Sequence, residues 1–295
     1  MYTPKIHGRL YFILVRVRQT ALIGDDQLLA GEKPMDIRDA LPLQLTPNLT
    51  AGAEVISTES QTWRLRVPPA ANGYRLAQLD DTRGRRRRNF RWQPPLRLQL
   101  RARASAENIP GTWGFGFWND PFSMGFLAAD RSLRLPALPN AAWFFFASSS
   151  NYLSLRDDLP AQGMLAATFR SPLWPPFGLA LGIPFLPFLA LPPGARLFRQ
   201  LVRRFVQQDA ASLTLNVMEW HTYSLEWQAE RARFLVDGNQ VLLTPAAPRG
   251  RLGLVIWIDN QYLAFPPDGR LRYGVHPCPN AAWIEIADLT ISSER

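Results

Sequence analysis

The chain reads as an all-β protein, a two-sheet antiparallel β-sandwich of the jelly-roll kind, and three observations predict it. Beyond residue 60, short runs alternate apolar with polar residues, the period of strands half-buried against a core. Turn signals separate these runs, as they do in sandwiches and jelly rolls. The sequence carries 26 prolines and 19 glycines in 295 residues, a composition that breaks helices and punctuates short strands.

Taken in order, Tyr11–Val15 is an apolar run of strand type, stopped by Arg16 and Arg18. That is too short for a secretory h-region, which needs about 7–15 apolar residues. The chain is therefore expected to be cytoplasmic, or peripheral at a membrane. Residues 1–60 read as N-terminal strand and irregular segment packed on the sandwich, and 61–295 as the sandwich itself, with an insertion at 171–210. Trp63–Val67 and Leu96–Ala104 alternate cleanly, leucines toward a core and arginines toward water.

Between them lies Arg83–Trp92, the densest charge in the chain. It reads either as a polyanion patch with Phe90 and Trp92 available to stack, or as an arginine-rich hairpin on an edge strand, where charge blocks further pairing. No nucleic-acid-binding motif accompanies it, so the second reading is favoured and nucleic acid is not an expected partner.

Thr112–Trp118 alternates aromatic residues with glycine. Trp143–Ala147 is continuously apolar, as in a strand buried on both faces. Further strands are expected at Met164–Phe169, His221–Trp227, Ala232–Val236, Val241–Thr244, Arg251–Ile258 and Trp283–Ile291.

The stretch His221-Thr222-Tyr223-Ser224-Leu225-Glu226-Trp227, followed by Arg233-Phe234-Leu235-Val236-Asp237-Gly238, resembles the "FHTYxxEW…xFYVDG" hairpin of family-16 glycoside hydrolases of the laminarinase type. Tyr223, Leu225 and Trp227 share one strand face, and Asp237-Gly238 makes a tight turn. Gly111–Trp118, Pro248–Trp257 and Trp283–Ile291 are similar, in order, to further strands of that family. The resemblance spans roughly residues 60–292 and implies the concanavalin A-like lectin and glucanase sandwich.

In that family the strand after Gly111–Trp118 carries Glu-x-Asp-x-x-Glu. Retaining hydrolysis needs two carboxyls about 5–5.5 Å apart, one ionised and one protonated. The corresponding stretch here, Asn140–Ser148, holds no carboxylate. Retaining glycosidase activity of the family type is therefore not expected, and a lectin-like binding role is.

No cofactor is expected. Phosphate-binding and dinucleotide motifs are absent, and His7, His221 and His276 lack ligand spacing for zinc. The single cysteine, Cys278, rules out an intrachain disulfide.

Two end-of-strand clusters mix aromatic, acid and amide groups, as sugar sites do. They supply the candidate ligand residues: Trp113, Trp118 and Asn119 in one, and Trp257, Asp259, Asn260 and Tyr262 in the other. If both strands line one sheet face, the clusters would share a cleft. Should the sandwich be an enzyme, Asp259, Asp120, Glu226 and His221 are the first candidates.

Ser171–Ala195 has no charged side chain for 25 residues, but its prolines cost a helix about 3 kcal/mol each and argue against a spanning segment. Arg196–Gln208 reads as an amphipathic helix. Leu197, Phe198, Leu201, Val202, Phe205 and Val206 lie on one side, and Arg196, Arg199, Arg203 and Arg204 toward the other. The insertion is either an apolar lid over the sandwich or a foot on an anionic membrane surface. The expected partner is a carbohydrate or a partly apolar small ligand, and a lid would shift the expectation from a free polysaccharide toward the latter, such as a glycolipid.

Overall fold

The computed structural model describes residues 43–58, 62–121, 137–174 and 183–293. The chain divides into two units, Met1–Gln44 and Leu45–Arg295. The expected strand Tyr11–Val15 and the residues around it lie outside the described residues, as does 175–182 of the insertion.

The described strands are β1 (Thr46–Leu49), β2 (Glu54–Thr58), β3 (Thr62–Val67), β4 (Leu76–Asp80), β5 (Leu96–Ala104), β6 (Thr112–Trp118), β7 (Ala141–Ala147) and β8 (Gly163–Arg170). They continue with β9 (Gln207–Ser212), β10 (His221–Trp227), β11 (Ala232–Val236), β12 (Asn239–Thr244), β13 (Gly253–Asp259), β14 (Gln261–Ala264), β15 (Arg272–Val275) and β16 (Ala282–Ser293). A 3-10 segment, Ile183–Ala190, leads into the helix α1 (Pro192–Phe205).

The front sheet is seven-stranded, ordered β1-β4-β13-β6-β7-β8-β9. The back sheet is seven-stranded, ordered β12-β11-β10-β5-β16-β3-β2. Neighbouring strands in both are antiparallel. This is the expected two-sheet sandwich. It begins upstream of residue 61, because β1 and β2 are strands of the two sheets.

The core forms where the alternation says it should. Along β5, Leu96, Leu98, Leu100, Ala102 and Ala104 are buried while Arg101 is exposed. Facing them across the sandwich are aromatics of the front sheet. The Tyr223 ring lies 5.0 Å from both Phe115 and Phe144, and Trp227 lies 5.8 Å from Phe117. The β11–β12 turn takes positive φ at both central residues, Asp237 (49°) and Gly238 (80°). That twist matches a two-residue hairpin.

β7 is buried along its whole length because the front sheet has cores on both faces. Its outward residues Trp143 and Phe145 join Leu165, Ala167 and Phe169 of β8 in a second apolar layer. Leu153, Leu155 and Leu159, together with Val202 and Val206 from α1 and the residue after it, cover that layer.

Three sequence expectations are corrected. The arginine run forms no strand: it makes a turn and a short 3-10 segment, Arg87–Asn89. Phe90 is buried in the core rather than free to stack, and Arg87 donates to the carbonyls of Asn119 and Asp120 at 2.7 and 2.6 Å. The helix runs Pro192–Phe205 rather than Arg196–Gln208, and Gln207 opens β9. Arg199, expected on the polar side, is 3% exposed. Its Nη atoms donate to the carbonyls of Ser154 and Phe265 at 2.7 and 2.6 Å and to Asp157 at 2.6 Å.

Candidate functional site

The outward face of the front sheet is largely buried, Leu76, Asp80, Val255 and Asp259 included. Toward β8 and β9 it lies under the apolar layer just described. Toward β13, β4 and β1 it is aromatic, then polar. Register fixes this pattern. Trp257 pairs with Gly114 on one side and Gln78 on the other. Trp143 pairs with Gly116, and Trp118 with Gly253 and Ala141. Asn48 lies beside Gln78, and Thr46 beside Asp80.

Three tryptophans therefore meet across β13, β6 and β7. Trp143 lies 5.5 Å from Trp257 and 6.2 Å from Trp118, ring centre to ring centre. Glycines on β6 make the room. A Cβ on Gly116 would stand 2.6 Å from Cα and 2.7 Å from Cβ of Trp143, and one on Gly114 would stand 2.8 Å from Cβ of Phe145. The alternating aromatic-glycine pattern of β6 thus sends aromatics inward and leaves a smooth outer floor.

Trp257 donates its indole N–H to the Thr112 hydroxyl at 2.9 Å. Trp118 is partly buried and Trp143 buried, and their Nε1 atoms are shielded from water without an acceptor. Next to Trp257, Gln78 donates to Asp80 at 2.8 Å. The other Asp80 oxygen accepts from the backbone and hydroxyl of Thr82 at 2.9 and 2.8 Å.

Of the residues expected from sequence, Trp118 and Trp257 come together on this face through Trp143. Trp113 does not. It is fully buried between the sheets, stacked on Phe146 at 5.9 Å, because strand alternation turns it inward. Asn119 is a buried clamp, donating to the Leu138 carbonyl at 2.8 Å and accepting from Asn140 N–H at 3.0 Å. Asn260 is also fully buried. It accepts from Arg75 N–H at 2.7 Å and donates to the carbonyls of Gly73 and His276 at 3.0 and 2.7 Å. Tyr262, on β14, packs its ring 4.7 Å from His276, just past β15, at a tilt of 37°.

The two clusters do not share one cleft through their polar members. Asp259 pairs with Thr112 and Gly253 with Trp118, so Asp259 and Asn119 stand at opposite ends of β6, about 20 Å apart along the strand.

The four candidate catalytic residues are dispersed. Asp259 is buried and accepts from Thr112 N–H at 3.2 Å, the Thr112 hydroxyl at 2.8 Å, Gln261 N–H at 3.3 Å and the Tyr74 hydroxyl at 3.3 Å. Burial pushes its carboxyl up to about 7, against the pull of these donors. Asp120 lies buried beyond the far end of β6 with φ of 50°.

Glu226 is on the outer face of the back sheet, 2.6 Å from Arg233, and lines a shallow depression of ≈ 310 Å³. His221 and Asp237 line another, of ≈ 400 Å³. Both ring nitrogens of His221 face acceptors, Asp237 at 2.6 Å and the Asn216 carbonyl at 3.0 Å. Among the described residues no group of His, Cys, Asp or Glu could hold a metal ion.

Sequence reasoning missed Trp143 and Gln78 as members of this face. Trp143 stands in an unbroken apolar run, which conceals its side. Gln78 stands in β4, whose Leu-Ala-Gln-Leu-Asp lacks a clear alternation.

No family model matches the chain, and no curated protein matches it. Several solved structures are similar to it. A glycoside hydrolase family protein from Mycobacterium thermorestibile is 11% identical, with 81% of this chain and 79% of that one covered and a TM-score of 0.45. The Bacillus licheniformis beta-glucanase is 10% identical, with 82% of each chain covered and a TM-score of 0.40. A sialidase is 11% identical over 84% of this chain, with a TM-score of 0.39, and this chain spans 17% of its length. Likeness at this level does not bear on activity or on site residues.

Proposed function

We propose that this chain is a non-catalytic, lectin-like protein that binds a carbohydrate or glycolipid headgroup on the outward face of its front sheet, at Trp118 and Trp257. The observation that carries the reading is the tryptophan floor. Trp257 and Trp118 offer partly exposed indole faces, joined by Trp143, with Gln78 and Asn48 alongside. Sugar rings stack their C–H faces on such aromatics, while amides fix hydroxyls.

The carboxylates of this face favour binding over hydrolysis. Asp80 pairs with Val255 and Asp259 lies four residues further along β13, so the two backbones stand about 14 Å apart. Even with both side chains reaching toward each other, that separation exceeds the ~5–5.5 Å between the carboxyls of a retaining glycosidase. Both carboxylates also accept hydrogen bonds within the protein, Asp80 from Thr82 and Arg83 of its own turn and Asp259 from Thr112, Tyr74 and Gln261. The outward positions of β7 are Ala141, Trp143, Phe145 and Ala147, with no acid among them.

The test is a broad glycan and glycolipid array probed with wild type and Trp257→Ala. Wild type should bind at least one class, and the variant about 10–100-fold more weakly, the worth of one aromatic stack of ~1.5–3 kcal/mol. An array on which wild type binds nothing refutes the reading. So does release of reducing ends from the bound glycan by purified protein, which would make the chain an enzyme.

A further inference from the structure

We propose that the outward side of α1 docks on an anionic lipid bilayer surface, independently of the glycan-binding reading. The helix has a wider apolar arc than the protein covers. At 100° per residue, Ala195, Val202 and the following Val206 lie on the half of the arc turned toward the body of the protein. Ala195 and Val206 are buried and Val202 is partly so. Leu197, Phe198, Leu201 and Phe205 form the other half and are 57%, 43%, 42% and 42% exposed.

The exposed stripe continues past both helix ends. Phe188 and Leu191 are exposed at its start, where Gly194 lets the Phe188 backbone approach closely. Exposed Trp174 lies 4.6 Å from Phe205 at its end. Fourteen helical residues make a stripe about 20 Å long. Contiguous exposed apolar surface of this extent marks an interaction site.

Charge decides which partner fits. No Asp or Glu occurs between Asp158 and Asp209, whereas Arg170, Arg196, Arg199, Arg203 and Arg204 do. Arg199 is used internally, and Arg203 reaches Asp157 at 3.2 Å. Arg204 is exposed on the rim of the apolar stripe. A second copy of the chain would bring the same arginines face to face across a two-fold axis. An anionic lipid surface takes the apolar stripe into its headgroup boundary and the arginines onto its charge. Among the described residues no helix is long and apolar enough to cross a membrane, so the contact is interfacial.

The experiment is flotation of the full chain with phosphatidylcholine vesicles, with and without phosphatidylglycerol. Wild type should float with the phosphatidylglycerol vesicles and release when salt is raised. Leu201→Gln with Phe205→Gln should lower the bound fraction at least about tenfold, and Arg204→Glu alone should lower it several-fold. All three positions are exposed, so an unchanged denaturation midpoint certifies the variants as folded. Wild type remaining soluble with both vesicle types overturns the proposal. So does a wild-type dimer in analytical ultracentrifugation that the double variant dissociates without any flotation of either, which would assign the stripe to self-association.

Discussion

Replacing Asp259 by asparagine should change how stability depends on pH. The carboxyl is buried at the end of β13, and burial raises it from 3.8 to about 7. An acid raised in the folded state keeps its proton where the unfolded chain has given it up. Stability therefore falls as pH climbs from about 4 to about 7, and the cost is fully present above that. At 1.36 kcal/mol per unit the ceiling is roughly 4 kcal/mol. Between about pH 5 and pH 8 roughly 3 kcal/mol of it is lost.

Asp81 acts in the same direction, since burial raises it to about 6. His276 opposes both at acidic pH, because burial lowers it below 6.5. Both remain in Asp259→Asn, so the difference between the two proteins isolates Asp259. Urea denaturation followed by tryptophan fluorescence at several pH values gives that difference. The variant should gain about 3 kcal/mol relative to wild type from pH 5 to pH 8. A difference that does not vary with pH, or one that moves the other way, refutes the burial argument.

Asn260→Ala should cost about 1–3 kcal/mol in the same denaturation assay, because it removes the side-chain partner of Arg75 N–H and of the Gly73 and His276 carbonyls. Asn260→Asp should cost at least as much, since it turns acceptors onto those carbonyls. Gly116→Ala should destabilise by about 1–3 kcal/mol through a forced shift of β6 against β7, read as a lower urea midpoint and a changed tryptophan emission.

Much of the back sheet was legible in the sequence. Leu96–Ala104 and His221–Trp227 alternate so regularly that strand, face and partner side follow from period alone. The Asp237-Gly238 turn set the β11–β12 register. β4, β14 and β15 were not legible. All three are short; β4 pairs with neighbours distant in sequence, such as β13, while β14 and β15 pair only with each other in a small sheet of their own. The start of β9 was not legible either, hidden at the end of an amphipathic run.

The candidate site divides along the same line. The sequence by itself determined that Trp118 and Trp257 stand on strands, that no acid occupies Asn140–Ser148, and that residues 171–208 are apolar and basic without an acid. Only the tertiary structure decided which residues face outward from the front sheet. It turned Trp113 inward and Trp143 outward, since a continuous apolar strand carries no mark of its face until both its neighbours are known. It made Asn119, Asn260 and Arg199 internal fasteners, because buried carbonyls and N–H groups elsewhere in the chain had to be satisfied. It also split the apolar arc of α1 into a packed half and an open half. Helical period gives the width of such an arc, but only the surface beneath it decides how much is covered.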